Sequence, residues 1–171
     1  MTLQRVLADP ATTGNWTLVP DRSSIMFGSK TLWGLVPVNG RFTDITGEGS
    51  VAADGAISGH LRIGVASIKT GIKKRDEHLQ SADFFDTEHF PEITVEVSGV
   101  GPDGDLNATL SVRGTTLPIS LTATVTPLGD GTVQVTARTT VDRTKWGISG
   151  NTMGMIPAGI TLTAEAAFSK A

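Results

Sequence analysis

Cysteine and tyrosine are both absent from the 171 residues. Without cysteine there is no disulfide framework, no thiolate metal site and no cysteine nucleophile. Charge is scarce too. Charged residues make up 18% of the chain, below the usual ~25%. Lys and Arg total 14 against 17 Asp and Glu, for a net charge of −3. That balance lacks the basic excess of a nucleic-acid binder, so no nucleic-acid partner is expected. No apolar run approaches the ~18 residues of a membrane-crossing helix, so stable membrane insertion is not expected either. The opening stretch is interrupted early by Asp9 and Pro10 and lacks the long apolar core of a secretory signal. A cytoplasmic location is the expectation.

What the chain has in quantity is threonine, 24 residues, and glycine, 20 residues. Threonine favours strands and glycine favours turns. Residues 1–14 show no periodicity and read as a flexible lead-in. From Asn15 to the end, residues 15–171 read as one domain in which a period of two dominates. In Leu106–Val112 the even-numbered residues are apolar and the odd-numbered ones polar. Ile119, Leu121, Ala123 and Val125 alternate with Ser120, Thr122 and Thr124. Val133, Val135 and Ala137 repeat the pattern, as do Ile160, Leu162, Ala164, Ala166 and Phe168. Such strands are apolar on one face and wet on the other. Asp54-Gly55, Asp103-Gly104 and Asp130-Gly131 suit tight hairpins, and Arg113-Gly114 sits between two alternating runs. Short loops and the lack of crossover helices argue for an antiparallel sandwich or barrel.

One segment departs from this period. Ile72–Ala82 has helical spacing, with Ile72, Asp76 and Leu79 on roughly one face. It carries much of the chain's charge. Phe84, Phe85 and Phe90 follow and should fasten the end of this insertion to the core.

At this segment the sequence resembles the YceI-like family, lipocalin-like polyisoprenoid-binding proteins. Trp16-Thr17-Leu18-Val19-Pro20-Asp21-Arg22-Ser23-Ser24-Ile25-Met26-Phe27 resembles the family's opening strand, and Val38-Asn39-Gly40-Arg41-Phe42 its V-x-G-x-F strand. Ser67–Thr70, Arg75–Leu79 and Ser81–Asp86, down to Phe90-Pro91, resemble its signature block. Leu110–Thr116 resembles its L-x-x-R-G-x-T hairpin, and Asp142–Ile148 its late R-x-x-(aromatic)-G element. The ordered motifs run from about Trp16 to Phe168. The resemblance implies an all-β fold: an extended eight-stranded antiparallel lipocalin-like barrel with one short helix insert near residues 72–82. It also implies a long apolar lumen holding an isoprenoid chain, an isoprenoid quinone or a similar lipid. No other cofactor is expected. Relatives often dimerise, so a homodimer is among the expectations.

Within that frame the lumen candidates are Phe27, Trp33, Phe42, Phe84, Phe85, Ile93, Leu110, Val112, Trp146, Met153, Met155 and Ile156. The plainer reading of any one of them is core packing. As a set they are harder to set aside, because an open barrel must line its interior with something. Gly150–Pro157 reads as a mobile loop at the mouth, where methionine adapts to varied apolar partners. Arg75, Asp76 and His78 are the head-group candidates, since an arginine fork suits phosphate oxygens. The competing reading is structural, with Arg75 and Asp76 tied to nearby backbone to fix the insert. His60 and His89 have no ligand spacing, and no metal site is expected. No triad, nucleophile elbow or phosphate loop is present. A binding module is therefore expected rather than an enzyme. The alternative is catalysis on an isoprenoid or quinone by Arg75, Asp76 and His78.

Overall fold

A computed structural model describes residues 3–30, 37–82, 84–148 and 159–171. Among them the alternating runs become ten strands. These are β1 Gly14–Leu18, β2 Ser24–Lys30, β3 Pro37–Phe42, β4 Ile45–Val51 and β5 Ile57–Gly64, then β6 Glu92–Val100, β7 Leu106–Val112, β8 Thr115–Pro127, β9 Thr132–Asp142 and β10 Gly159–Lys170. Two α-helices accompany them, α1 Leu3–Leu7 and α2 Lys73–Leu79.

The ten strands fill eight places in a closed antiparallel ring. From β4 to β10 each strand pairs with the next in sequence. One edge of β10 pairs with β9 from Gly159 to Ser169. Its other edge pairs with β2 over Thr161–Glu165 and then with β1 over Phe168–Lys170. β1 and β2 therefore share one place, interrupted by the 3-10 turn Pro20–Arg22. β3 and β4 share the next place, since β3 pairs with β2 and β4 with β1. Eight strands enclose an interior that side chains just fill or that holds one slender ligand.

The expected hairpins fall at one end of the ring. Gly55, Gly104 and Gly131 all have φ near +85°, as tight Asp-Gly turns require. At the opposite end, the mouth, lie the insert between β5 and β6, the β7–β8 hairpin and the turn after β9. Among the described residues, the outer edge of β3 pairs with no strand beyond β2. Instead Arg41 and Lys69 exchange backbone hydrogen bonds of 2.9 Å, so the insert completes the wall there. The insert helix lies within the expected 72–82 span. Ile72 does not join its buried face: it precedes the first turn and is 53% exposed, while Leu79 is buried.

Inward positions alternate as read from the sequence, with Ile45, Ile63, Ile93, Leu110 and Val112 in one apolar cluster. Residues 1–14, expected to be a flexible lead-in, are folded onto the barrel from Leu3 onward. Leu3 is 8% exposed and packs with Leu106 and Val125 at the hairpin end. The physical reason is that Leu3, Val6 and Leu7 sit three and four apart, and one helical turn gathers them on a single face.

The two-residue β7–β8 loop has φ +51° at Arg113 and +77° at Gly114, the left-handed pair of a type I′ turn. A β-carbon at Gly114 would stand 3.0 Å from the Phe90 ring. At Gly129, φ is +85° but nothing lies within 4 Å. Left-handed backbone costs a residue with a β-carbon roughly 1–2 kcal/mol. Gly129→Ala should therefore lose about 1 kcal/mol and Gly114→Val more, about 2–3 kcal/mol, because it adds overpacking to strain. Urea midpoints of the two variants test the order.

Candidate functional site

The lumen opens at the mouth as a cavity of about 210 Å3. At ~30 Å3 of liquid volume per water, that is space for roughly seven waters. Its wall is almost wholly apolar. Phe27, Phe42, Phe84, Phe85, Ile93, Leu110, Val112 and Trp146, the lumen candidates among the described residues, all line it. Trp33, Met153, Met155 and Ile156 lie outside the described residues. Many further lining side chains, such as Ile119, Leu121, Ile160 and Leu162, sit at the inward parity already visible in the sequence.

The aromatic rings form a chain across the mouth. The Phe27 and Phe42 centroids are 5.5 Å apart, and Phe42 meets Phe85 edge-on at 5.9 Å. Gly40 explains the glycine of the V-x-G-x-F strand. A β-carbon there would lie 2.4 Å from Phe27 Cζ and 2.9 Å from Thr70 Cγ2, so only glycine lets ring and insert close over β3. Trp146 is buried, and its indole N–H donates to the Leu110 carbonyl at 2.9 Å. That bond satisfies the one polar atom of a ring otherwise facing hydrocarbon.

The three head-group candidates separate. Arg75 and His78 line the cavity and Asp76 does not. The Asp76 carboxylate accepts from the Thr70 backbone N–H at 2.8 Å and from its hydroxyl at 2.5 Å. Arg75 donates from Nε to the Thr70 hydroxyl and from its terminal nitrogen to the Thr70 carbonyl, both at 2.8 Å. Thr70 is thus clamped from both sides, which is the structural role weighed for Arg75 and Asp76. The Asp76 carboxylate is thus engaged by Thr70 and does not face the cavity. Arg75 keeps a cation at the cavity wall in an orientation set by Thr70. His78 stands edge-on to Phe84 at 5.1 Å, on the exposed side of α2.

A third basic group lines the cavity and was missed by the sequence reading. Arg143 is 8% exposed and donates to the Ile148 carbonyl at 2.6 Å. Burial lowers its pKa from the ordinary arginine value, and Asp142 beside it opposes the shift. The signal was available: Ala137, Thr139 and Val141 are inward, and Arg143 continues the same parity. Arg113 acts from the neighbouring hairpin. It donates to the Phe84 carbonyl at 3.0 Å and the Gly147 carbonyl at 3.2 Å, joining the insert to the late turn. Among the described residues, no three His, Asp or Glu side chains are grouped to hold a metal ion.

A closed antiparallel ring of eight places around a hollow apolar interior, with Arg75, His78 and Arg143 in its wall, is a lipocalin-like barrel. The sequence matches the model of the YceI-like domain over residues 16–168. The chain belongs to the YceI-like family. It is 34% identical to Protein YceI of Escherichia coli O157:H7 over 99 residues, covering 53% of this chain and 50% of that protein. A UPF0312 protein of Shewanella baltica is 30% identical over 92 residues, covering 50% of this chain and 48% of that one. The chain thus spans about half the length of the curated relatives it matches. Burkholderia cenocepacia BcnA superposes with a TM-score of 0.77 at 18% identity, over 88% of this chain and 98% of that one. A polyisoprenoid binding domain from Saccharophagus degradans, implicated in plant cell wall breakdown, gives 0.74 at 18% identity, over 91% and 98%. At that identity the likeness is one of fold.

Two outcomes follow from the insert's geometry. Asp76→Ala leaves the Thr70 donors without their acceptor, which should cost about 1–3 kcal/mol in denaturant unfolding. His89 Nδ1 lies 2.9 Å from the Asp86 carboxylate. The hydrogen bond to Asp86, then its charge, raises the His89 pKa above 6.5. Its stabilisation is therefore complete below about pH 6.5 and is lost as pH rises through the raised folded value. An NMR titration should place His89 above 6.5, and Asp86→Asn should bring it down.

Proposed function

We propose that this barrel binds a long apolar chain in its lumen, a polyisoprenoid, an isoprenoid quinone or a similar lipid, for carriage, storage or sequestration. The observation that carries the reading is the apolar cavity that side chains leave unfilled, with Arg75, His78 and Arg143 in its wall. An ordinary core of this size would be filled, because interiors pack to crystal density. At ~24 cal/mol per Å3, an unfilled space of this size forgoes about 5 kcal/mol of contacts. A chain with about 20 buried carbons, more than this one cavity encloses, would bind with roughly 6 kcal/mol at ~0.3 kcal/mol per atom. That corresponds to a Kd of tens of micromolar, tighter for longer chains. The polyisoprenoid binding domain among the structural neighbours supports the same ligand class.

Arg75 and Arg143 give the rim its polarity. Two cations beside an apolar passage suit a chain ending in a phosphate or carbonyl group, with the hydrocarbon inside and the polar end at the water boundary. Organic extraction of purified protein followed by mass spectrometry tests the proposal. A long-chain lipid should be recovered, and delipidated protein should rebind geranylgeraniol with a change in tryptophan fluorescence. No extracted lipid together with no rebinding overturns it.

A further inference from the structure

Beyond the mouth cavity lies a second one, of about 180 Å3, at the hairpin end. The two share Leu61, Leu121, Ala137 and Ala164 in their walls, so they meet at one level of the barrel. Ala137 and Ala164 are directly paired across β9 and β10. The waist therefore has two alanines where larger residues would close it.

The far cavity is hollow because two inward positions carry no side chain. Gly49 and Gly59 line it at the inward parity of Ile45, Leu61 and Ile63, and the two glycines pair directly. Its floor comes from outside the ring. Leu3, Val6 and Leu7 of α1 line it, together with Trp16. α1 lies between two hairpins. Gln4 approaches to 3.3 Å of a β-carbon position at Gly104, and the Leu7 carbonyl to 3.6 Å of one at Gly55. No strand pairing holds this segment. The Thr12 hydroxyl donates to the Val6 carbonyl at 2.9 Å, and the Trp16 indole N–H to the Thr12 carbonyl at 2.9 Å.

We propose that Leu3–Thr12 is the floor of the lumen and sets the longest apolar chain the barrel accepts, with the far cavity taking the distal end of that chain. This rests on the reading of the lumen as a chain-binding site. Apolar burial is roughly proportional to area, so affinity rises with each added isoprene unit until the chain end meets α1. Beyond that length further units remain in water and add nothing.

The test is a titration of delipidated full-length protein with linear prenols from farnesol upward to decaprenol. In the unaltered protein geranylgeraniol should bind at least tenfold tighter than farnesol, with a plateau at a definite length. Gly59→Leu fills the far cavity. A β-carbon there meets Glu48 and Val97 atoms at 3.6 and 3.7 Å, ordinary contact distances, so the wall accommodates it. In this variant the ratio between the two prenols should fall toward unity. Leu3→Ala with Leu7→Ala should move the plateau to longer chains. If prenols bind but neither variant changes the length profile, the floor is overturned while the chain-binding reading stands. If the unaltered protein binds no prenol of any length, that reading falls and the floor falls with it.

Discussion

Strand β10 is bonded on both edges along almost its whole length, to β9 on one side and to β2 and then β1 on the other. This single closure separates a hollow barrel from an open sheet. In a closed ring nearly every strand edge has a neighbour, and the short outer edge of β3 is bridged by Lys69 at Arg41, so no long edge is left to recruit another chain. The ring carries the architecture, and the interior is released from having to be solid. A helical bundle could not tolerate the same void, because side-chain packing is what holds its elements together. The cavity is a consequence of where the cohesive energy lies.

The mouth depends on a different device. Segments far apart in sequence meet there, and arginine joins them by donating to backbone carbonyls. Arg75 holds Thr70, Arg113 spans Phe84 and Gly147, and Arg143 holds Ile148. A guanidinium has several donors in a rigid plane and no acceptor, which suits a loop end whose carbonyls have no ladder partner. Two of these side chains also face the lumen. The groups that order the mouth thus also place positive charge in the lumen wall.

Much of this was legible in the residues. The period of two named the inward faces of β7 through β10, and the Asp-Gly pairs marked the hairpins. The insert was visible as the one stretch with helical spacing, and eight of the lumen candidates line the cavity. Other features escaped because they depend on partners distant in sequence. Asp76 reads as a chemical group until Thr70 is seen to occupy it. Arg143 reads in the sequence only as the arginine of the R-x-x-(aromatic)-G element, although its parity with Val141 points inward. Residues 3–7 are too short to announce a helix. They become one because the open hairpin end offers Leu106 and Val125 to cover.

Local pattern by itself determined the strand content, the turns, the position of the insert and which face of each strand is apolar. These follow from alternation and from left-handed backbone, which are properties of neighbouring residues. Only the tertiary structure decided that the apolar faces enclose space instead of filling it, that two arginines stand at its wall, and that α1 packs against its far end. Each of those depends on ring closure, and closure is a relation between Trp16 and Lys170 at opposite ends of the chain, which no local pattern contains.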